Sequence, residues 1–336
     1  MKKIAFIVDT VNWAFYNNAN NIKKYLSEKY EITIIPTSYL NNSLFHLYLL
    51  LEEYDLVHFF WRYDLYYDNN EMLDWILKED GLDKKRFLSD KLNYDKITTG
   101  VYDHLFIDDR FEVTNSIFSR VKNYIVSSSK LLAIYNDLNL KYKPTKVITD
   151  GVNLDLFYPM NLERFESVNE RSIIIGWVGN SKWSGNSDHK GLKTILDPAI
   201  DELVNEGYNI TKMYADSTEK FIPYEEMVNY YSKIDILICS SKNEGTPGPI
   251  LEALACGVPI ISTDVGIVKE ALGKMQQKYI LNNRTKEEMK NKIKDMIINN
   301  SKMKELSKEN IKQSKKYSFA NIANEYDQFF TKIMGE

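Results

Sequence analysis

Two glutamates in one segment give the strongest chemical signal. Glu244 stands in a glycine- and proline-broken loop just past the apolar run 235–239, and Glu252 stands eight positions later, one turn into the helix expected to follow. That spacing lets both carboxylates face one crevice. Pro249 suits the first helical position because it has no N–H to leave unpaired. The N–H groups of Ile250 and Leu251 then point out of the helix end, where the dipole favours an anion. A phosphate fits there. A carboxylate beside such a pocket is repelled unless it accepts hydrogen bonds from hydroxyl groups, as on a sugar or a ribose, and a phosphate joined to hydroxyls describes a nucleotide sugar. Taken alone, the pair would equally fit a helix cap and a solvated helix residue.

The elements that must position these residues are legible as alternation. Apolar runs of four to eight residues recur with helical stretches between them, the pattern of parallel sheets covered by helices. Strands are expected at 3–8, 31–36, 55–60, 96–102, 123–127 and 146–149, and a second set at 172–178, 210–214, 235–239, 259–262 and 279–281. Three polar, Lys-rich helices are expected to close the chain. The fold class is therefore α/β, with two doubly wound Rossmann-like domains, 1–150 and 151–316, and a closing helix at 317–336. The boundary falls between Asp150 and Arg171, where Asp150-Gly151-Val152-Asn153 makes a turn and the stretch to Glu170 has no clean period. In open α/β sheets the ligand sits beyond the carboxyl ends of the strands, so the expected site is a central cleft faced by both domains.

Composition narrows the class. The 336 residues are 44% hydrophobic and 27% charged, ordinary proportions that argue against disorder and against a membrane-embedded chain. Residues 1–150 hold 19 Lys/Arg against 21 Asp/Glu and the remainder 24 against 26. No concentrated basic footprint exists, which excludes nucleic acid as a partner. The run 4–8 stops at Asp9, short of a signal-peptide core, and the run 44–51 is cut by Glu52, Glu53 and Asp55, short of a spanning helix. Cys239 and Cys256 lie in apolar runs and read as reduced and buried, which points to the cytoplasm.

The run Glu244-Gly245-Thr246-Pro247-Gly248-Pro249-Ile250-Leu251-Glu252, continuing through Ala253-Leu254-Ala255-Cys256-Gly257-Val258-Pro259, closely resembles the donor-binding motif of retaining glycosyltransferases of family 4. Asp150-Gly151-Val152-Asn153 with Phe157 and Pro159, His189-Lys190-Gly191, and Tyr317-Ser318-Phe319 with Glu325-Tyr326 are similar to further pieces of that family, in order, the last being its closing helix, which the resemblance returns to the first domain. The resemblance covers most of 146–333. It implies a GT-B fold, a nucleoside-diphosphate-sugar donor held by the second domain, an acceptor mainly on the first, and no metal or other cofactor. The sequence has no Asp-x-Asp pair to hold a cation against a diphosphate, which agrees with the last point. By the same resemblance Glu244 and Lys190 are catalytic, Lys190 on the diphosphate and Glu244 on the donor sugar. Gly245, Thr246, Pro247, Gly248, Pro249, Ile250 and Leu251 line the sugar and β-phosphate, Glu252 holds the ribose, and Tyr224 lies near the base. An arginine usually follows the first glycine of the strand-end loop, but here Gly179 is followed by Asn180. Lys182 is the substitute expected to supply that charge, as a point contact rather than a fork.

The first domain is less explicit. Asp103 and His104 stand near the family's acceptor-side His-Asp loop, with Tyr102 in the histidine position, and either can orient or deprotonate an acceptor hydroxyl. Thr10, Trp13 and Phe15 fall in the stretch that replaces the family's glycine-rich turn. With Trp61 and Arg62 they are the expected acceptor-side residues, since aromatics stack on sugar faces and also pack cores. The function expected is transfer of a sugar, with retention, to a hydroxyl on a glycan, a glycolipid precursor or a small molecule, in bacterial surface polysaccharide or glycoconjugate synthesis. A lipid-linked acceptor would add weak peripheral association at the inner face of the membrane. A noncatalytic nucleotide-sugar binder is the alternative. A dinucleotide oxidoreductase is disfavoured, because Gly176 and Gly179 lack the Gly-x-Gly-x-x-Gly spacing.

Overall fold

Eleven parallel strands occupy the eleven apolar runs in a computed structural model that describes residues 1–183 and 187–335. The first unit comprises residues 1–150 and the helix that begins at Phe319. Its strands β1 (Lys2–Val8), β2 (Tyr30–Pro36), β3 (Leu56–Phe59), β4 (Ile97–Val101), β5 (Asn123–Val126) and β6 (Lys146–Val147) form one sheet in the order β2-β1-β3-β4-β5-β6. The second unit, Gly151–Ser318, holds β7 (Ile173–Gly179), β8 (Ile210–Asp216), β9 (Ile236–Cys239), β10 (Ile260–Thr263) and β11 (Ile280–Leu281), in the order β11-β10-β9-β7-β8. Near-continuous burial of β1, β3 and β9 explains why they read as unbroken apolar runs.

The last helix departs from the polar, Lys-rich expectation. Helices Lys286–Ile298 and Met303–Ser314 are of that kind, but Phe319–Met334 buries Phe319, Ile322, Ala323, Tyr326, Phe329 and Phe330. These fall at the three- and four-residue steps of a single helical face. That face joins the first unit's core, with Phe330 against Phe6 at 6.0 Å and Tyr326 edge-on to His58 at 5.4 Å. The Tyr326 and Tyr102 hydroxyls hydrogen-bond at 2.8 Å. Burial in this aromatic nest pushes His58 down to about 3, so the imidazole is neutral at ordinary pH, with Nδ1 on the Thr98 hydroxyl at 2.9 Å.

In the second unit, the aperiodic stretch before β7 is held by charge. Asp235, fully buried just before β9, accepts 2.7 Å hydrogen bonds from both terminal nitrogens of Arg171 and one of 2.8 Å from the Ile174 amide. Arg164, 7% exposed, lies 3.7 Å from the same carboxylate and donates to the carbonyls of Ile234, Tyr231 and Met160. No described helix is long and apolar enough to cross a membrane.

Candidate functional site

Strand order places the site. From β7 the chain adds β8 on one side and β9, β10 and β11 on the other, so the sheet has a topological switch point between β7 and β9. At the carboxyl ends of these strands lies a cavity of about 250 Å³, lined by Trp177, Gly179, Asn180, Lys190, Cys239, Ser241, Glu244 and the 246–250 segment, among others. Every lining residue belongs to the second unit. Among the described residues that line it, Lys190 is the cation and Glu244 the carboxylate, joined by a bond of 2.6 Å from Nζ to Oε1. An ammonium has three donors, so Lys190 can keep Glu244 and still meet a phosphate oxygen.

Local chemistry fixes Lys190. Gly191 follows it at φ +72°, and a Cβ there would stand 2.3 Å from the Ser240 carbonyl oxygen, so this close approach requires glycine. Asp188 accepts from the Thr194 amide at 2.7 Å and the Leu192 amide at 3.2 Å, capping the π-helical turn Leu192–Leu196. Burial raises the Asp188 carboxyl, but the Thr194 and neighbouring amide bonds outweigh it and hold the group below its ordinary value.

The helix start differs from expectation in detail. Helix Gly248–Cys256 begins at Gly248, so Pro249 is its second residue. The Ile250 amide donates to the Pro247 carbonyl at 2.9 Å rather than into the cavity. Leu251 is fully buried in the core. Gly245 is buried too, its carbonyl accepting from the Ile267 amide at 3.2 Å where a Cβ on Gly266 would be 1.9 Å away. The lining therefore comes from Glu244, Thr246, Pro247, Gly248, Pro249 and Ile250, with Gly245 and Leu251 behind them.

Glu252 and Tyr224 lie outside the lining. The Tyr231 hydroxyl donates to Glu252 Oε2 at 2.7 Å, and burial pushes the Glu252 carboxyl up to about 7 despite that bond. Tyr224 packs edge-on to Phe157 at 5.3 Å. Lys182 is exposed and does not line the cavity, and its amide donates to Asn180 Oδ1 at 2.9 Å. Cys239, expected to be buried, is partly exposed and lines the cavity. Sequence reasoning missed Trp183, which is 65% exposed and lines the cavity. A tryptophan in a polar, glycine-bounded stretch was the available signal.

On the first unit, Arg62 is corrected from a groove residue to a structural one. It is 1% exposed, holds both Asp103 oxygens at 2.6 and 3.2 Å, and donates to the Leu105 carbonyl at 2.8 Å. The fork engages both oxygens of Asp103, and Asp103 Oδ1 also accepts from the Leu105 amide at 2.9 Å. His104 follows it in the same loop, partly buried. Phe15 packs on Tyr102 at 5.2 Å and on Trp61 at 6.4 Å, Trp13 is 59% exposed, and the Thr10 amide caps Asp9 Oδ1 at 2.7 Å. Two further carboxyls lie here, Asp9 and Asp64. Burial raises Asp9, and burial with the nearby Asp9 charge pushes Asp64 up to about 7.

Residues 219–313 match the family model of the glycosyl transferases group 1. Among solved structures, the whole chain is similar to a sucrose-phosphate synthase from Thermosynechococcus elongatus, with TM-score 0.70, 15% identity and full coverage of both chains. Anabaena Alr3699/HepE, in complex with UDP and glucose, gives 0.67 at 12% identity, over 99% of this chain and all of that one. The catalytic domain of Arabidopsis thaliana starch synthase IV, bound to ADP and acarbose, gives 0.67 at 10%, over 100% and 99%. The fold is GT-B. A Bacillus subtilis (strain 168) protein named as a teichuronic acid biosynthesis glycosyltransferase, TuaC, is 34% identical over 83 residues. That stretch is 25% of this chain, and it spans only 19% of the relative's length.

Proposed function

We propose that the chain is a retaining, metal-independent glycosyltransferase moving a sugar from a nucleoside-diphosphate sugar to a hydroxyl acceptor in surface polysaccharide or glycoconjugate synthesis. The observation that carries this reading is the Lys190–Glu244 pair, closed at 2.6 Å inside a cavity at the strand switch point. Lys190 meets the charge that develops on the departing nucleoside diphosphate, a stabilisation that grows as the glycosidic bond breaks. Glu244 accepts hydrogen bonds from donor-sugar hydroxyls. Because Glu244 is bonded to Lys190, it is not placed as a free nucleophile, which supports attack by the acceptor on the face the diphosphate leaves. Names of similar proteins support the reading: two of the structures named above hold UDP or ADP, and the Bacillus protein is named for teichuronic acid biosynthesis.

The test is turnover of a panel of sugar nucleotides with chelator present, followed by the anomeric configuration of the product. The expected result is nucleoside diphosphate released in chelator and a retained configuration. Loss in chelator that magnesium restores would remove the metal-independent reading, and an inverted product would remove retention. A noncatalytic nucleotide-sugar binder is the second reading, favoured by Asn180 standing where the family has an arginine. It would saturate with donor without turning over.

Glu252 supplies a pH prediction. With its carboxyl at about 7 in the folded chain and near the ordinary 4.5 when unfolded, the native state holds the extra proton between these values. Stability is therefore lost as pH rises from 4.5 to 7 and changes no further above. Glu252→Gln should melt close to wild type at pH 5 and higher than wild type at pH 8. If ionised Glu252 holds the ribose, wild-type affinity for nucleotide should rise about tenfold from pH 6 to pH 8, following the ionised fraction, and the glutamine variant should be flat. A wild-type melting profile parallel to the variant's at every pH would contradict the assignment.

A further inference from the structure

We infer that Arg284 is a positioning residue for Lys190; the inference rests on the donor-site reading above. Arg284 lies in the turn between β11 and helix Lys286–Ile298 and is not a lining residue of the cavity. Its guanidinium spends its bonds on carbonyls from two segments. Nε donates to Ser240 at 2.8 Å, and Nη2 donates to Asp188 at 2.9 Å and His189 at 3.4 Å. These acceptors belong to the loop that delivers Lys190 and to the end of β9 that leads to Glu244.

Other bonds close the same seam. The Ser240 hydroxyl donates to the Lys190 carbonyl at 2.7 Å, and the Lys242 amide donates to the His189 carbonyl at 2.8 Å. A Cβ on Gly191 would stand 2.7 Å from Arg284 Nη2, so the guanidinium lies directly against the residue after Lys190. Among the described residues Arg284 forms no ion pair within 4.0 Å. Its direct bonds all go to neutral carbonyls, while the Asp188 carboxylate favours its charge through space, so the half-buried guanidinium is satisfied by joining these two segments. What it orders is the separation of the two segments that set the 2.6 Å contact between Lys190 and Glu244. The rigid fork matters, since a lysine in its place has a single charged nitrogen and cannot span the Ser240 and Asp188 carbonyls with the same geometry.

Two readouts test this on the full chain. The first is amide hydrogen exchange in Arg284→Gln, followed at Gly191 and Lys242. Exchange there should quicken at least tenfold while the strands of the second unit keep their protection, and unchanged exchange would overturn the proposal whatever the chain binds. The second is a double-mutant cycle on donor turnover. Arg284→Gln should cost at least tenfold in kcat/KM alone and less than twofold when added to Lys190→Ala, because there is then no amine left to misplace. Costs that multiply would overturn the proposal. Should the glutamine variant fail to fold, Arg284→Lys runs both arms with the same expected directions. If wild type turns over no sugar nucleotide, the proposed function fails on its own account, and the exchange arm still decides whether Arg284 holds the Lys190 loop.

Discussion

Lys190→Ala is expected to lower kcat/KM for sugar transfer at least a hundredfold, about 2.7 kcal/mol of transition-state stabilisation. Among the described residues Lys190 is the cation of the cavity lining, and the turn that presents it is fixed by the Asp188 cap, by Gly191 and by the Ser240 hydroxyl. A preorganised ammonium aimed at a leaving diphosphate needs little rearrangement as charge develops, which is why its removal is felt mainly in the transition state. Glu244→Ala should cost a similar factor, since it removes the acceptor for sugar hydroxyls and releases Lys190 from its 2.6 Å partner. Because each residue orients the other, the two losses should combine to less than their product. Steady-state kinetics of both single variants and the double variant check this. Near-normal turnover in Lys190→Ala would remove its assigned role.

Asp235→Ala should produce the largest loss of stability. It deletes a fully buried carboxylate that holds Arg171 at 2.7 Å through both terminal nitrogens, and it leaves buried Arg164 without the charge 3.7 Å away. Removing one partner of a buried ion pair typically costs about 3–5 kcal/mol. For a unit of this size that lowers the melting temperature by roughly 10 °C. Asp235 precedes β9, whereas the cavity lies beyond its carboxyl end. Activity per folded molecule should therefore hold while the melting temperature falls. Differential scanning calorimetry beside kinetics at low temperature separates the two, and a shift of only a degree or two would show that the network is not holding the stretch before β7.

Much of this architecture was legible because buried parallel strands announce themselves. Runs such as 4–8 and 236–239 are apolar on both faces, so the sequence shows them without alternation. The Glu244-to-Glu252 segment was legible for a different reason: glycines and prolines at fixed offsets mark a loop entering a helix. Which atoms face the cavity was not legible. The Ile250 amide turns back to the Pro247 carbonyl, and Gly245 packs against Gly266, twenty-one residues apart, a contact no local pattern encodes.

Arg62 shows the opposite failure. A charged residue after a strand reads as a groove residue, yet its fork is consumed by Asp103, forty-one residues away, a pairing no local pattern encodes. Arg284 was silent for the same reason, since its partners lie 44 and 96 residues upstream. The aromatic face of the closing helix, in contrast, is written in the spacing of Phe319, Ile322, Tyr326 and Phe330.

The most direct test of the central claim is calorimetric titration of UDP, ADP and GDP into wild type and into Lys190→Ala, with chelator present throughout. Saturable binding of at least one nucleoside diphosphate by wild type is expected, and binding at least tenfold weaker by the variant. Equal affinity in the two proteins, or no binding to a wild-type chain shown to be folded, would contradict the assignment of this cavity as the donor site.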